Sequence, residues 1–241
     1  MPYSMKMPMM PWMRSIANEL AHLFFPRHCL LCGRSLAKGE EQICLPCLCQ
    51  LPRTEQHLQA DNPLVEALRE AFPFERGMAF YCFERGGKMR QLVHAIKYKG
   101  HKKAGYWIAR HVARELMAIQ SDFTQFDYLV PVPLHRDKQR ERGFNQSEWI
   151  ARGLQSVWGT PIDTTSLVRT RATESQTHKT PLERWQNVCA VFKVSKDSPL
   201  AGKRVLLVDD VCTTGSTFLA CAHALNALPD TRVSFLALAG A

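Results

Sequence analysis

Long apolar runs are missing from this 241-residue chain. No stretch approaches the roughly 18 uncharged apolar residues that a membrane helix needs, so no membrane span is expected. The first residues also lack a continuous apolar core followed by a small-residue cleavage site, and the expectation is an unexported, cytoplasmic protein. No internal repeat or low-complexity tract appears, and the composition excludes general disorder and a collagen-like fibre. Acidic residues are scarce beside basic ones, 22 against 31, for a formal net charge of +9. The deficit is local, because residues 85–152 hold 14 basic and 6 acidic residues. Such a segment suits anionic partners, either phosphorylated small molecules or nucleic acid, although on charge alone a solvated basic face that binds nothing remains open. The remainder, 46% hydrophobic and 22% charged, is the composition of an ordinary folded protein with one large domain and something small attached.

Cysteine is plentiful but uneven: five of the nine lie within residues 29–49. Cys29, Cys32, Cys44 and Cys47 give C-x2-C-x11-C-x2-C. Two residues between cysteines let both thiolates of a tight turn face one centre, and two such turns place four sulfurs at about 2.3 Å around a tetrahedral zinc. Gly33 can supply the positive φ of the first turn. An exported disulfide knot is the rival reading, disfavoured by the missing signal peptide. His28 and Cys49 are possible substitute ligands. Four thiolates leave no open position for substrate, so the expected zinc is structural. Cys82, Cys189, Cys212 and Cys221 are isolated and are assigned no bridge.

Along the chain, residues 11–25 suit an amphipathic helix, and the polar stretch 52–63 suits a connector, which places a domain boundary near residue 60. Residues 1–60 then form a helix and zinc module, and 61–241 the main domain. A β-prone run at 77–83 precedes helical spacing at 88–100, and a second helix is expected at 102–119. Residues 127–133 read as a buried strand stopped by two prolines, followed by a long basic loop. Asn145 and Glu148, at capping-box spacing, open another helix. Strands are expected at 162–168, 188–194, 205–208 and 233–239, with a helix through Phe218–Leu225. This alternation predicts an α/β fold, a mostly parallel sheet with flanking helices.

The sharpest constellation is Asp209-Asp210-Val-Cys-Thr213-Thr214-Gly215-Ser216-Thr217, between an apolar strand and an amphipathic helix. Ligands bind where the chain leaves the carboxyl end of a parallel strand, and the next helix offers unpaired N–H groups to an anion. Four hydroxyls add donors, and Gly215 allows close approach of the backbone to a monophosphate. The adjacent carboxylates suit a sugar diol or a hydrated Mg²⁺. An apolar strand ending in two acids also looks like a Walker B segment, but no G-x-x-x-x-G-K-[ST] accompanies it. A turn with a helix cap is the plain alternative, and it accounts for only one of the two acids. Cys212 has no identifiable histidine partner and is read as a tolerated loop residue.

This segment resembles the signature loop of the type I phosphoribosyltransferase fold, in which paired acids hold the ribose hydroxyls of phosphoribosyl pyrophosphate (PRPP) and the loop holds its 5′-phosphate. The wider chain resembles the ComF family of competence-associated, phosphoribosyltransferase-like proteins, through the cysteine module, Ala95-Ile-Lys97-Tyr98-Lys99-Gly100, Val130-Pro-Val-Pro133, Arg142-Gly-Phe-Asn145-Gln146, residues 171–176 and 184–187, and the two-acid loop. Residues 1–20 carry none of the likeness. The resemblance implies that the loop after Pro133 faces pyrophosphate, with Arg136, Lys138, Arg140, Arg142 and Asn145 nearby, and four basic residues in seven suit that anion. It implies that residues 169–187 form a lid, with Arg171, Gln176, Lys179 and Arg184 over substrate. For both groups a solvated surface is the open alternative.

The resemblance implies a PRPP-binding protein, with Mg²⁺ accompanying PRPP, that handles internalised single-stranded DNA alongside DNA-uptake or processing proteins. Lys97, Lys99, Lys102 and Lys103 are the candidate nucleic-acid contacts, with Tyr98, Trp107, Phe144 and Trp149 available for stacking if exposed. Helical spacing favours burial of Trp107 and Trp149. Two other readings stay open: a phosphoribosyltransferase acting on a small base or amine, and a PRPP-sensing regulator. No accepting-base pocket is recognisable, and fold alone does not establish turnover.

Overall fold

The computed structural model describes residues 26–59, 61–170 and 191–241, and the chain divides into two compact units at Gln50/Leu51. The helix expected at 11–25 lies outside the described residues.

The first unit is held by short-range geometry. The Cys29 N–H reaches Arg34 O at 2.8 Å and Gly33 N–H returns to Cys29 O at 2.9 Å, with Gly33 at φ 75°, the tight turn its spacing predicts. His28 bridges Ser35, and helix α1 (Leu45–Cys49) starts at Cys44. Besides its cysteines, Ile43 is its one fully buried apolar side chain among the described residues, too little for an independent core.

The second unit begins ten residues before the boundary that composition suggests, because the polar stretch is the cover of a sheet edge. Thr54 N–H donates to Phe80 O at 3.1 Å and Gln56 Oε1 accepts from Ala79 N–H at 2.9 Å, so residues 53–56 satisfy the outer edge of the first strand. Then come α2 (Pro63–Arg69), β1 (Gly77–Cys82), α3 (Lys88–Tyr98), α4 (Lys102–Ala118), β2 (Tyr128–Pro131), α5 (Arg136–Arg142), α6 (Gln146–Trp158), β3 (Leu167–Arg169), β4 (Phe192–Val194), β5 (Arg204–Cys212), α7 (Ser216–Leu225) and β6 (Arg232–Gly240). The sheet is parallel, in the order β1-β6-β5-β2, and β3 and β4 form a separate antiparallel pair. Every residue of Val205–Asp210 and Val233–Ala239 is buried, as central parallel strands covered on both faces require. Phe218, Cys221 and Leu225 of α7 join Val205, Leu207 and Phe235 in one core. On α6, Gly153 lets that helix approach α4, since a Cβ there would lie 2.3 Å from Tyr106 O. No described helix is long and apolar enough to cross a membrane.

Three local expectations change. The basic loop is a helix, α5, with no buried residue; opposite charges three apart support it, and hydropathy gives no sign of it. The strand expected at 162–168 is interrupted, because Asp163 Oδ1 accepts from Thr165 N–H (2.8 Å) and Ser166 N–H (2.7 Å) and bends the chain between the Ile162 bridge and β3. Asn145 caps α6 alone, through Ser147 N–H at 3.1 Å, while Glu148 pairs with Arg152 at 2.6 Å instead of closing a capping box.

Candidate functional site

β5 runs between β6 and β2 and carries both acids inside the strand. Asp209 is 8% exposed and Asp210 3%, because the strand expected to stop at residue 208 runs on through both. The strand continues because β6 pairs with it as far as Cys212↔Gly240. Asp209 Oδ1 accepts from Ser147 Oγ at 2.7 Å and from the Asp210 N–H at 2.9 Å. Ser147 is placed by the Asn145 cap at the start of α6. Asp210 Oδ2 lies 2.9 Å from Lys97 Nζ, which arrives from the last turn of α3. Burial, then the neighbouring Asp210 charge, pushes the Asp209 carboxyl up to about 7. Burial also raises Asp210, and Lys97 and Arg142 oppose it.

Beyond Cys212 the chain turns through Thr213, Thr214 and Gly215 into α7. Thr213, Thr214 and Ser216 are exposed and Thr217 is half-buried; Thr214 Oγ and Ser216 Oγ are 3.1 Å apart. Together they present hydroxyls at the N-terminus of a ten-residue helix, an arrangement that can hold an oxyanion. Gly215, at φ 72°, has a second duty: a Cβ there would fall 2.5 Å from Leu68 Cδ2, so the glycine is needed where the loop lies on α2. Cys212, expected in the loop, is instead the buried last residue of β5, paired with Gly240, and that burial pushes its thiol up to about 11. Beside Thr213 a cavity of about 750 Å³ is lined by Thr54, Gln56, Leu64, Phe83 and Glu84. Sequence reasoning missed it, since its walls come from segments with no shared motif.

Of the five pyrophosphate-side candidates, Arg142 is the one whose charge acts on Asp210. Its guanidinium donates to Gln146 Oε1 at 2.9 Å and lies 5.3 Å over the Tyr98 ring. Arg136, Lys138 and Arg140 are exposed on α5, and Arg136 lines a cavity of about 610 Å³ with His135, Thr164, Arg169 and Thr170. Asn145 is occupied by capping and by Val132 O at 3.1 Å, so its role is positional. Sequence reasoning missed Arg169, which stacks over Phe192 at 5.4 Å and is acted on by the Asp209 charge. The lid candidates Arg171, Gln176, Lys179 and Arg184 lie outside the described residues.

Among the nucleic-acid candidates, Lys97 is engaged by Asp210, whereas Lys99, Lys102 and Lys103 are exposed. Tyr98 is 62% exposed and Trp107 6%. Trp149 is half-buried, with Lys102 at 5.0 Å and Arg152 at 5.6 Å from its ring, so its expected burial is only partial.

In the first unit the sulfurs of Cys29, Cys32, Cys44 and Cys47 lie within 4.8 Å of one another, with Cys32 and Cys44 at 3.6 Å. Tetrahedral ligands about 2.3 Å from a metal stand about 3.8 Å apart, so the cluster fits zinc. Burial pushes the Cys29 thiol up, but N–H groups of Cys44, Cys32 and Leu31 outweigh it and hold it at about 6. His28 and the exposed Cys49 fall outside this four-sulfur cluster.

The family model described as "Phosphoribosyl transferase domain" matches residues 100–239. "DNA utilization protein YhgH" of Salmonella typhimurium is 30% identical over 217 residues, covering 84% of this chain and 92% of that protein. The chain belongs to the ComF family of phosphoribosyltransferase-domain proteins. "Competence protein ComFC" of Bacillus subtilis is 25% identical over 244 residues (87% and 93% covered), and "Competence protein F" of Haemophilus influenzae is 32% identical over 158 (62% and 67%). In this ComF-family chain the domain match takes in the two acids and their loop, while the cysteine cluster and Lys97 fall outside it.

Proposed function

We propose that this protein binds PRPP or a related phosphoribosyl ligand at the turn from β5 to α7. The reading is carried by one observation: two buried carboxylates immediately precede a hydroxyl-rich helix N-terminus at the carboxyl edge of a parallel sheet. Thr213, Thr214, Ser216, Thr217 and the N–H groups at the start of α7 take the 5′-phosphate. Asp209 and Asp210 accept from the ribose hydroxyls, and Arg142 with the basic face of α5 neutralises the diphosphate. A Mg²⁺ accompanying PRPP would be held by its diphosphate and would add to that neutralisation. Cys29, Cys32, Cys44 and Cys47 hold a structural zinc, which supplies the cohesion that the first unit lacks in apolar side chains.

The role follows the names of the relatives, competence and DNA utilisation: the protein handles internalised single-stranded DNA. Arg142 on Tyr98 joins the basic helix α5 to the lysines around Gly100, and Lys102 and Arg152 flank Trp149, giving cations and aromatic faces side by side. The cavity beside Thr213 favours a second reading, a phosphoribosyltransferase acting on a small base or amine. Incubation with PRPP, Mg²⁺ and candidate acceptors separates the two: pyrophosphate release above the acceptor-free rate selects the enzyme, and binding without release selects the DNA-handling reading.

A further inference from the structure

The acid pair has a counter-ion of its own. Lys97 Nζ is 2.9 Å from Asp210 Oδ2, and the two side chains are 22% and 4% exposed, so the ammonium sits where the buried carboxylate has little access to water. Asp209 has both its Oδ1 contacts inside the protein, from Ser147 Oγ and the Asp210 N–H. A second cation, Arg142, also acts on Asp210, anchored by Gln146 and the Tyr98 ring. Tyr98 follows Lys97 directly on α3, so one helix end supplies the ammonium and the platform for the guanidinium. An octahedral Mg²⁺ needs free oxygens at about 2.1 Å and keeps several waters. It gains no such shell at Asp210 while an ammonium is within hydrogen-bond distance of Oδ2.

We propose that Lys97 occupies the cation position of the Asp209–Asp210 pair, so that a ribose phosphate binds there without a divalent metal. The inference rests on the phosphoribosyl reading of the β5–α7 loop, and it makes Lys97 a positioning residue that keeps Asp210 ionised and directed at the ligand. Any metal brought by PRPP then belongs to the diphosphate alone.

Ribose 5-phosphate, which has no diphosphate, is the probe that keeps the ligand's own metal affinity out of the measurement. On the full chain, its affinity for the wild type should agree within about twofold in EDTA and in millimolar Mg²⁺. Lys97→Met should bind at least about tenfold more weakly in EDTA and recover with Mg²⁺, because a divalent ion then takes the vacated position. Mn²⁺ titration followed by electron paramagnetic resonance reads the same position without any sugar. Lys97→Met should bind Mn²⁺ at least about tenfold more tightly than the wild type, and adding Asp210→Asn should remove the gain. Lys97→Gln, which retains a donor to Asp210 without charge, replaces the methionine variant if that one does not fold. Equal Mn²⁺ affinity in wild type and variant, or loss of wild-type ribose 5-phosphate binding in EDTA, overturns the proposal. If neither protein binds ribose 5-phosphate in either buffer, the phosphoribosyl reading falls, and the Mn²⁺ titration still decides whether Lys97 holds the cation position.

Discussion

Asp209 is buried beside a second carboxylate, and its carboxyl is pushed up to about 7 from 3.8. A raised carboxyl binds its proton more tightly in the folded state, so its contribution to stability is complete below about pH 4 and is lost as pH rises through about 7. An asparagine oxygen can still accept from Ser147 and the Asp210 N–H. Asp209→Asn should therefore be more stable than the wild type at pH 8, by about 1–3 kcal/mol, and nearly equal to it at pH 4. Urea unfolding at the two pH values checks this, and equal stability at pH 8 refutes it. Gly215 carries a different constraint, because φ 72° and the approach of Leu68 both exclude a side chain. Gly215→Ala should cost about 2–4 kcal/mol in thermal unfolding as well as weaken ligand binding. A variant that loses affinity with an unchanged melting temperature would assign the glycine to the anion alone.

At the scale of elements, legibility followed the kind of signal each segment carries. β5, β6 and α7 were readable because strands buried on both faces are almost uniformly apolar and end at turn residues. α5 was not, because a helix with no buried side chain leaves no period in hydropathy. The Asp163 turn was hidden in a segment whose residues otherwise favour a strand, and the cover of the β1 edge was hidden in polar residues that look like a linker. The two acids and the four cysteines were legible from local spacing. The pairing of Lys97 with Asp210 and the place of Arg169 were not, because they depend on how α3 and β3 pack against elements remote in sequence. The cysteine unit gives the prediction at this scale. Elemental analysis of protein purified without chelator should find one zinc per chain, and none in Cys44→Ser/Cys47→Ser, with chelation exposing residues 26–50 to protease before the rest. Undiminished zinc in the variant would move the site elsewhere.

For the whole molecule, nearly all the net charge lies in one segment, and the fold brings its two clusters together where Arg142 meets Tyr98. Single-stranded DNA should bind with little sequence preference, log K falling with log salt by about 0.7 per phosphate neutralised, and Lys102→Glu/Lys103→Glu should flatten that slope while the zinc content stays the same. A salt-independent affinity would contradict a phosphate-tracking face. If PRPP competes with the DNA, the two share the β5–α7 loop; independent binding assigns DNA to the aromatic-cationic face alone. The central claim, a phosphoribosyl site built on the buried acids, is tested most directly by calorimetric titration of the full chain with PRPP, beside Asp209→Asn/Asp210→Asn whose folding has been verified by its unfolding transition. The account predicts saturable one-to-one binding by the wild type and an affinity at least about tenfold weaker in the folded variant; absence of wild-type binding, or the same affinity in both proteins, would contradict it.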